Sequence, residues 1–123
     1  MRDFRELKVW QTAHVLALYV YKVTADFPRE EIYGLTAQLR RAVVSVGANI
    51  AEGSARNSDA AMRNFLVIAH GSAAEVQYLL LLAGDLGYLS PEQMAELEGG
   101  SKSVRRMLNG FIRFLSHAPR SNG

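Results

Sequence analysis

Three histidines, one carboxylate set among small residues and two groups of arginines are the side chains of this sequence that could do chemistry. His14, His70 and His117 are far apart in the chain, and no local pattern assembles them. There is no cysteine, which removes thiolate nucleophiles and disulfides, and the serines lack a recognisable nucleophile turn or neighbouring base. Metal chemistry in a helical bundle would need inward carboxylates and Glu-x-x-His units. Three residues after Glu52 stands Ala55, and three after Glu75 stands Tyr78; the HExxH pattern is also absent. Gly47, Gly53, Gly71 and Gly84 have no following lysine in a strand–loop–helix setting, so a phosphate loop is not expected. Neither a metal nor a cofactor is expected.

Two polar features remain. Asn49, Ile50, Ala51, Glu52 and Gly53, with Arg56 beyond, place a carboxylate near a helix C-terminus, where the backbone dipole disfavours it. The reading favoured is a structural latch of Asn49, Glu52 and Arg56 holding a helix turn, over a carboxylate-containing pocket. The second feature is basic. Lys102, Arg106, Asn109 and Arg113 recur at helical spacing on one face, and Arg40, Arg41, Arg56 and Arg63 cluster near mid-chain. Guanidinium groups at such positions can contact phosphates without reading base sequence. For an isolated monomer a solvated charged face is the simpler reading; symmetric assembly would repeat each patch and add weak contacts together. Residues 101–123 contain Lys102, Arg105, Arg106, Arg113 and Arg120 and no acidic residue, although net charge over the chain is only +2.

Positioning these groups requires helices. The 123 residues suit one domain, 1–123, with one modest core, and 49% apolar against 21% charged residues is ordinary globular composition. No uninterrupted apolar run, 78–83 included, approaches the length of a bilayer span, and the first residues lack a secretion signal's apolar block. No membrane association and a cytoplasmic location are therefore expected.

Helix one is expected over about 4–25. Trp10, Ala13, Ala17, Val20, Thr24 and Phe27 form one face, and Val9, Leu16 and Val23 a second stripe with Thr12 and Tyr19 between. One face suffices for a small monomer, so the second stripe points to packing against another subunit. Pro28 suits the first turn of helix two, with Ile32, Leu35, Leu39, Ala42, Val43, Val46 and Ile50 on its apolar side and Gly53 as terminator. Ser58 or Asn57 caps helix three, where Gly71 and Ala73 permit close approach, and Gly87 ends it. Ser90-Pro91-Glu92-Gln93 starts helix four; Gly99-Gly100, costing about 2 kcal/mol against alanines, predicts a kink. Pro119 and the tail 120–123 are expected to fray. Short links between long helices give an all-α, antiparallel up-down-up-down four-helix bundle.

A family resemblance adds to this. Leu7-Lys8-Val9-Trp10-Gln11-x-Ala13-His14 opens it, followed by Phe27-Pro28-x-Glu30-x-x-Tyr33-Gly34-Leu35-Thr36-x-Gln38-Leu39-Arg40-Arg41-Ala42. Ser45-Val46-x-x-Asn49-Ile50-Ala51-Glu52-Gly53 is the most specific stretch, and Phe65-Leu66-x-Ile68-Ala69-x-Gly71-Ser72-x-x-Glu75 and Leu86-Gly87-Tyr88-Leu89 continue it. Over about 4–115 the chain resembles the bacterial four-helix-bundle proteins associated with 23S rRNA intervening sequences, also labelled the S23 ribosomal protein family; Gly47 stands where related chains often carry proline. The resemblance implies a left-handed antiparallel bundle assembled as a homopentamer. It also implies similarity to accessory proteins of diversity-generating retroelements, basic pentameric barrels that bind reverse transcriptase and nucleic acid. The resulting expectation is a non-enzymatic homo-oligomeric scaffold binding RNA or DNA through Arg40, Arg41, Arg56, Arg63, Lys102, Arg106 and Arg113. The alternatives are a protein-interaction adaptor without nucleic-acid affinity and, more distantly, a small-molecule hydrolase around Glu52, His70 and Glu75.

Overall fold

The computed structural model describes residues 3–117, so the expectation for Pro119 and the tail lies outside the described residues. Helices α1 (Lys8–Thr24), α2 (Leu35–Ser54), α3 (Asp59–Asp85) and α4 (Pro91–His117) follow one another, with short 3₁₀ turns at Phe4–Glu6 and Arg29–Glu31. Each helix packs on its sequence neighbour and α4 closes on α1, forming an all-α bundle with no strand among the described residues. The core runs through all four helices, with Val20, Leu39, Val43, Val46, Ile50, Leu66, Val76, Leu80, Leu97, Val104 and Leu108 essentially sealed from solvent.

Local chemistry sets several helix ends. Ser58 Oγ accepts the Ala61 N–H at 3.1 Å and caps α3. At the start of α4 the bonds are reciprocal: Ser90 Oγ accepts from Gln93 N at 3.1 Å, and Gln93 Oε1 accepts from Ser90 N at 3.0 Å. Gly87, at φ +80°, closes α3; Tyr88 N donates to Ala83 O at 2.9 Å and Gly87 N to Gly84 O at 3.0 Å. That pair of bonds satisfies the last carbonyls of α3, in a conformation glycine adopts freely.

Four expectations are corrected. Helix two does not begin at Pro28: α2 starts at Leu35, because Gly34 (φ −108°, ψ −114°) interrupts the helical path, and Ile32 is left 54% exposed outside it. Glu31 bridges the gap, its Oε1 accepting from Leu35 N at 3.1 Å and its Oε2 from the Tyr88 hydroxyl at 3.0 Å. Gly53 does not end α2 but lies inside it, where a Cβ would stand 3.0 Å from Phe65 Cβ and 3.2 Å from the Met62 carbonyl. Its place is a close crossing with α3; Gly71, credited with that task, faces open space. Finally, α4 runs unbroken through Gly99-Gly100, since Gly100 sits against α1, where a Cβ would come within 3.2 Å of Leu16 Cδ1.

The two stripes of α1 also find their explanation within one chain. Val9, Ala13, Leu16, Val20, Val23 and Thr24 are all buried, with Leu16 meeting Gly100 of α4 and Thr24 Oγ1 accepting from Arg40 Nε of α2 at 2.8 Å. The buried positions are two flanks of one face wedged between α2 and α4, so the second stripe carries no argument for a second subunit, whereas Trp10 and Ala17 of the first stripe line an open furrow between α1 and α2. α3 contains an 18-residue window of mean hydropathy 1.5, long and apolar enough to cross a membrane, although no continuous apolar run is that long. In this fold its Met62, Leu66, Ala69, Ala73, Val76 and Leu80 are spent in the bundle core.

Candidate nucleic-acid interface

The seven basic candidates separate according to what their side chains already hold. Arg40 is half-buried and committed: besides Thr24 it donates from Nη2 to the Tyr21 carbonyl at 3.3 Å, and its Cζ lies 4.6 Å from the Tyr21 ring centroid. It straps α2 to α1. Arg56 lies over Phe65 at 4.7 Å and 3.8 Å from Glu52, and Arg63 Nε donates to Ser116 Oγ at 2.5 Å. Arg41 is exposed on α2, apart from the others. Lys102, Arg106 and Arg113 come together with Asn109 along one furrow between α3 and α4.

That furrow has a volume of about 490 Å³ and is lined by Gln77, Lys102, Arg105, Arg106, Asn109, Gly110 and Arg113, none of them acidic. Lys102, Arg106, Asn109 and Arg113 form its exposed rim; Gln77 and Arg105 are half-buried at its floor. Arg105 donates from Nη1 to Gln77 Oε1, while its enclosed Nε has no hydrogen-bond partner. Sequence reading passed over Arg105 as a contact because it is rotated by about 60° from Lys102 on the helix, toward the core. Gln77 belongs to the other wall, so the only sequence signal for the pair is antiparallel register of α3 against α4.

His70, on the same helix as Gln77, is partly buried, and its Nε2 lacks a partner. Burial, and secondarily the Arg105 guanidinium from α4, holds its imidazole below the ordinary histidine value. The folded chain therefore resists a proton that the unfolded chain accepts, and stability should fall as pH drops below about 6.5. Urea unfolding at about pH 7.5 and about pH 5 should show this loss, and His70→Gln should reduce it. An equal loss in the variant would assign the pH dependence to other groups.

The remaining polar candidates do not gather into one site. Asn49 Nδ2 donates to Ser45 O at 2.8 Å and Ser45 Oγ at 3.1 Å, and Ser45 Oγ lies 2.8 Å from Ser72 Oγ of α3. Asn49 thus belongs to a polar seam between α2 and α3, while Glu52 and Arg56 form a separate exposed pair beyond it. Glu75 accepts from Gln38 Nε2 at 3.5 Å on the α2 side, whereas His70 faces Arg105 of α4. Glu52, His70 and Glu75 are therefore dispersed. His14 stacks on Trp10 with ring centroids 4.8 Å apart.

A second furrow, between α1 and α2, is apolar. It encloses about 440 Å³, with Trp10, Ala13, Ala17, Leu18, Val44 and Gly47 among its lining. Of its lining residues Leu18 and Val44 are 59% and 47% exposed.

These features define a small four-helix-bundle protein with a polycationic furrow on one side and an uncovered apolar furrow on another. More particularly, the chain belongs to the 23S rRNA-intervening sequence protein family, whose sequence model matches residues 5–110. It is similar in fold to a crystal structure of a protein with unknown function from the S23 ribosomal protein family of Bacteroides thetaiotaomicron VPI-5482. The TM-score is 0.79 and the identity 26%, covering 85% of this chain and 95% of that one. No curated protein matches the chain.

Proposed function

We propose that this protein is a non-enzymatic, homo-oligomeric scaffold in the cytoplasm that binds RNA or DNA by its phosphates. The observation that carries the reading is the α3/α4 furrow, where Lys102, Arg105, Arg106 and Arg113 converge without a carboxylate among the lining residues. Like charges held together are favourable when a polyanion joins them, and binding releases the counterions condensed on that polyanion. The contact set is accordingly Lys102, Arg105, Arg106 and Arg113, with Arg41 as an outlying contact; Arg40 acts as a strap.

Self-assembly is supported by the apolar α1/α2 furrow and the exposed Leu18 and Val44 that line it. Exposed apolar surface of this kind is characteristic of contact faces. Five copies follow from the family resemblance. The same apolar furrow favours a second reading, an adaptor that captures another protein and has no nucleic-acid affinity.

Light scattering on purified protein, with and without short RNA and DNA across a salt series, tests both. A five-subunit particle that gains nucleic-acid mass at low salt and loses it at high salt is the expected result. An oligomer indifferent to both nucleic acids even at low salt would leave the adaptor reading, and a monomer would overturn assembly.

A further inference from the structure

We infer that the α3/α4 furrow takes a single strand of RNA or DNA in preference to a duplex, with Arg105 seating a phosphate at the floor. The inference rests on the phosphate-binding reading above.

Depth is the first argument. Arg105 and Gln77 are half-buried while Lys102, Arg106, Asn109 and Arg113 stand exposed above them. A ligand that engages all four cations must enter between the two helices. A single strand is narrow enough to lie between two helices whose axes stand about 8–10 Å apart. A duplex, with its two strands set apart across grooves about 6 and 12 Å wide, is broader than that furrow and meets the exposed rim first.

The second argument is the line of the charges. Lys102, Arg106, Asn109 and Arg113 recur at spacings of four, three and four residues, a single file of about 16 Å along α4. One strand presents its phosphates in single file; a duplex presents two rows. The fork of Arg105, braced by its bond to Gln77, supplies a planar donor set suited to phosphate oxygens.

Fluorescence anisotropy should compare labelled oligouridine of about 15 nucleotides with a duplex of equal phosphate number at about 50 mM salt. The single strand should bind at least about tenfold more tightly. Arg105→Gln and, independently, the isosteric Gln77→Glu, which pairs the Arg105 guanidinium with a carboxylate, should each weaken single-strand binding about fivefold or more while changing duplex binding less than about twofold. The Gln77 variant, which keeps a bond to Arg105, keeps the test intact should the half-buried Arg105 position prove necessary for folding. Equal affinity for the two ligands, or variants that weaken both alike, would overturn the single-strand inference and leave the phosphate-binding reading standing. Binding of neither ligand at low salt would overturn both.

Discussion

Replacing Lys102, Arg106 and Arg113 together by glutamine is expected to lower nucleic-acid affinity about a hundredfold at about 50 mM salt. The slope of log affinity against log salt should shrink by about three, one for each phosphate contact removed. Folding and assembly should be untouched. All three side chains are exposed, and none is tied to another element by a hydrogen bond or ion pair among the described residues. Anisotropy over a salt series, paired with scattering mass, measures both quantities. Unchanged affinity at matched low salt would remove these residues from the contact set, and a lost oligomer would place them in an interface between copies.

The second large effect concerns the wall that carries the charges. Leu108 is fully buried on the inner side of α4. Leu108→Ala should cost about 2–5 kcal/mol, combining lost burial with the void left in the core. Leu81→Ala, at a side chain 50% exposed on α3, should cost under about 1 kcal/mol. Urea unfolding of both variants at one fixed protein concentration compares them, since assembly makes the midpoint concentration-dependent. Similar costs at the two positions would mean that Leu81 is covered in the assembled protein.

The helices themselves were legible in sequence because their signals are local. Ser58, the Ser90/Gln93 pair and Gly87 each act on backbone groups a few residues away, and all three behave as their residue types require. Other glycines were misread for the opposite reason. Whether Gly53, Gly71 or Gly100 breaks a helix or admits a neighbour depends on the element opposite, which no spacing rule contains. The same limit governs the site. Lys102, Arg106 and Arg113 share a stripe and could be found by counting, whereas the commitment of Arg40 to Thr24 and Tyr21 arises from residues sixteen and more positions away. The second stripe on α1 misled because it was counted against one neighbour. In a closed bundle each helix has two, and both flanks of a wide apolar face are used.

The turn joining α3 to α4 has a consequence for how the molecule is built. Gly87 finishes one helix and the Ser90/Gln93 bonds begin the next within a few residues, so the two furrow walls form a hairpin of contiguous chain. Contacts between such neighbours carry a small loop-closure cost and form early in folding, before α1 must return to meet α4. During synthesis, however, α4 emerges after the three helices described before it. The cationic track therefore comes into being only when α4 docks on α3, and a chain halted before that point does not carry it.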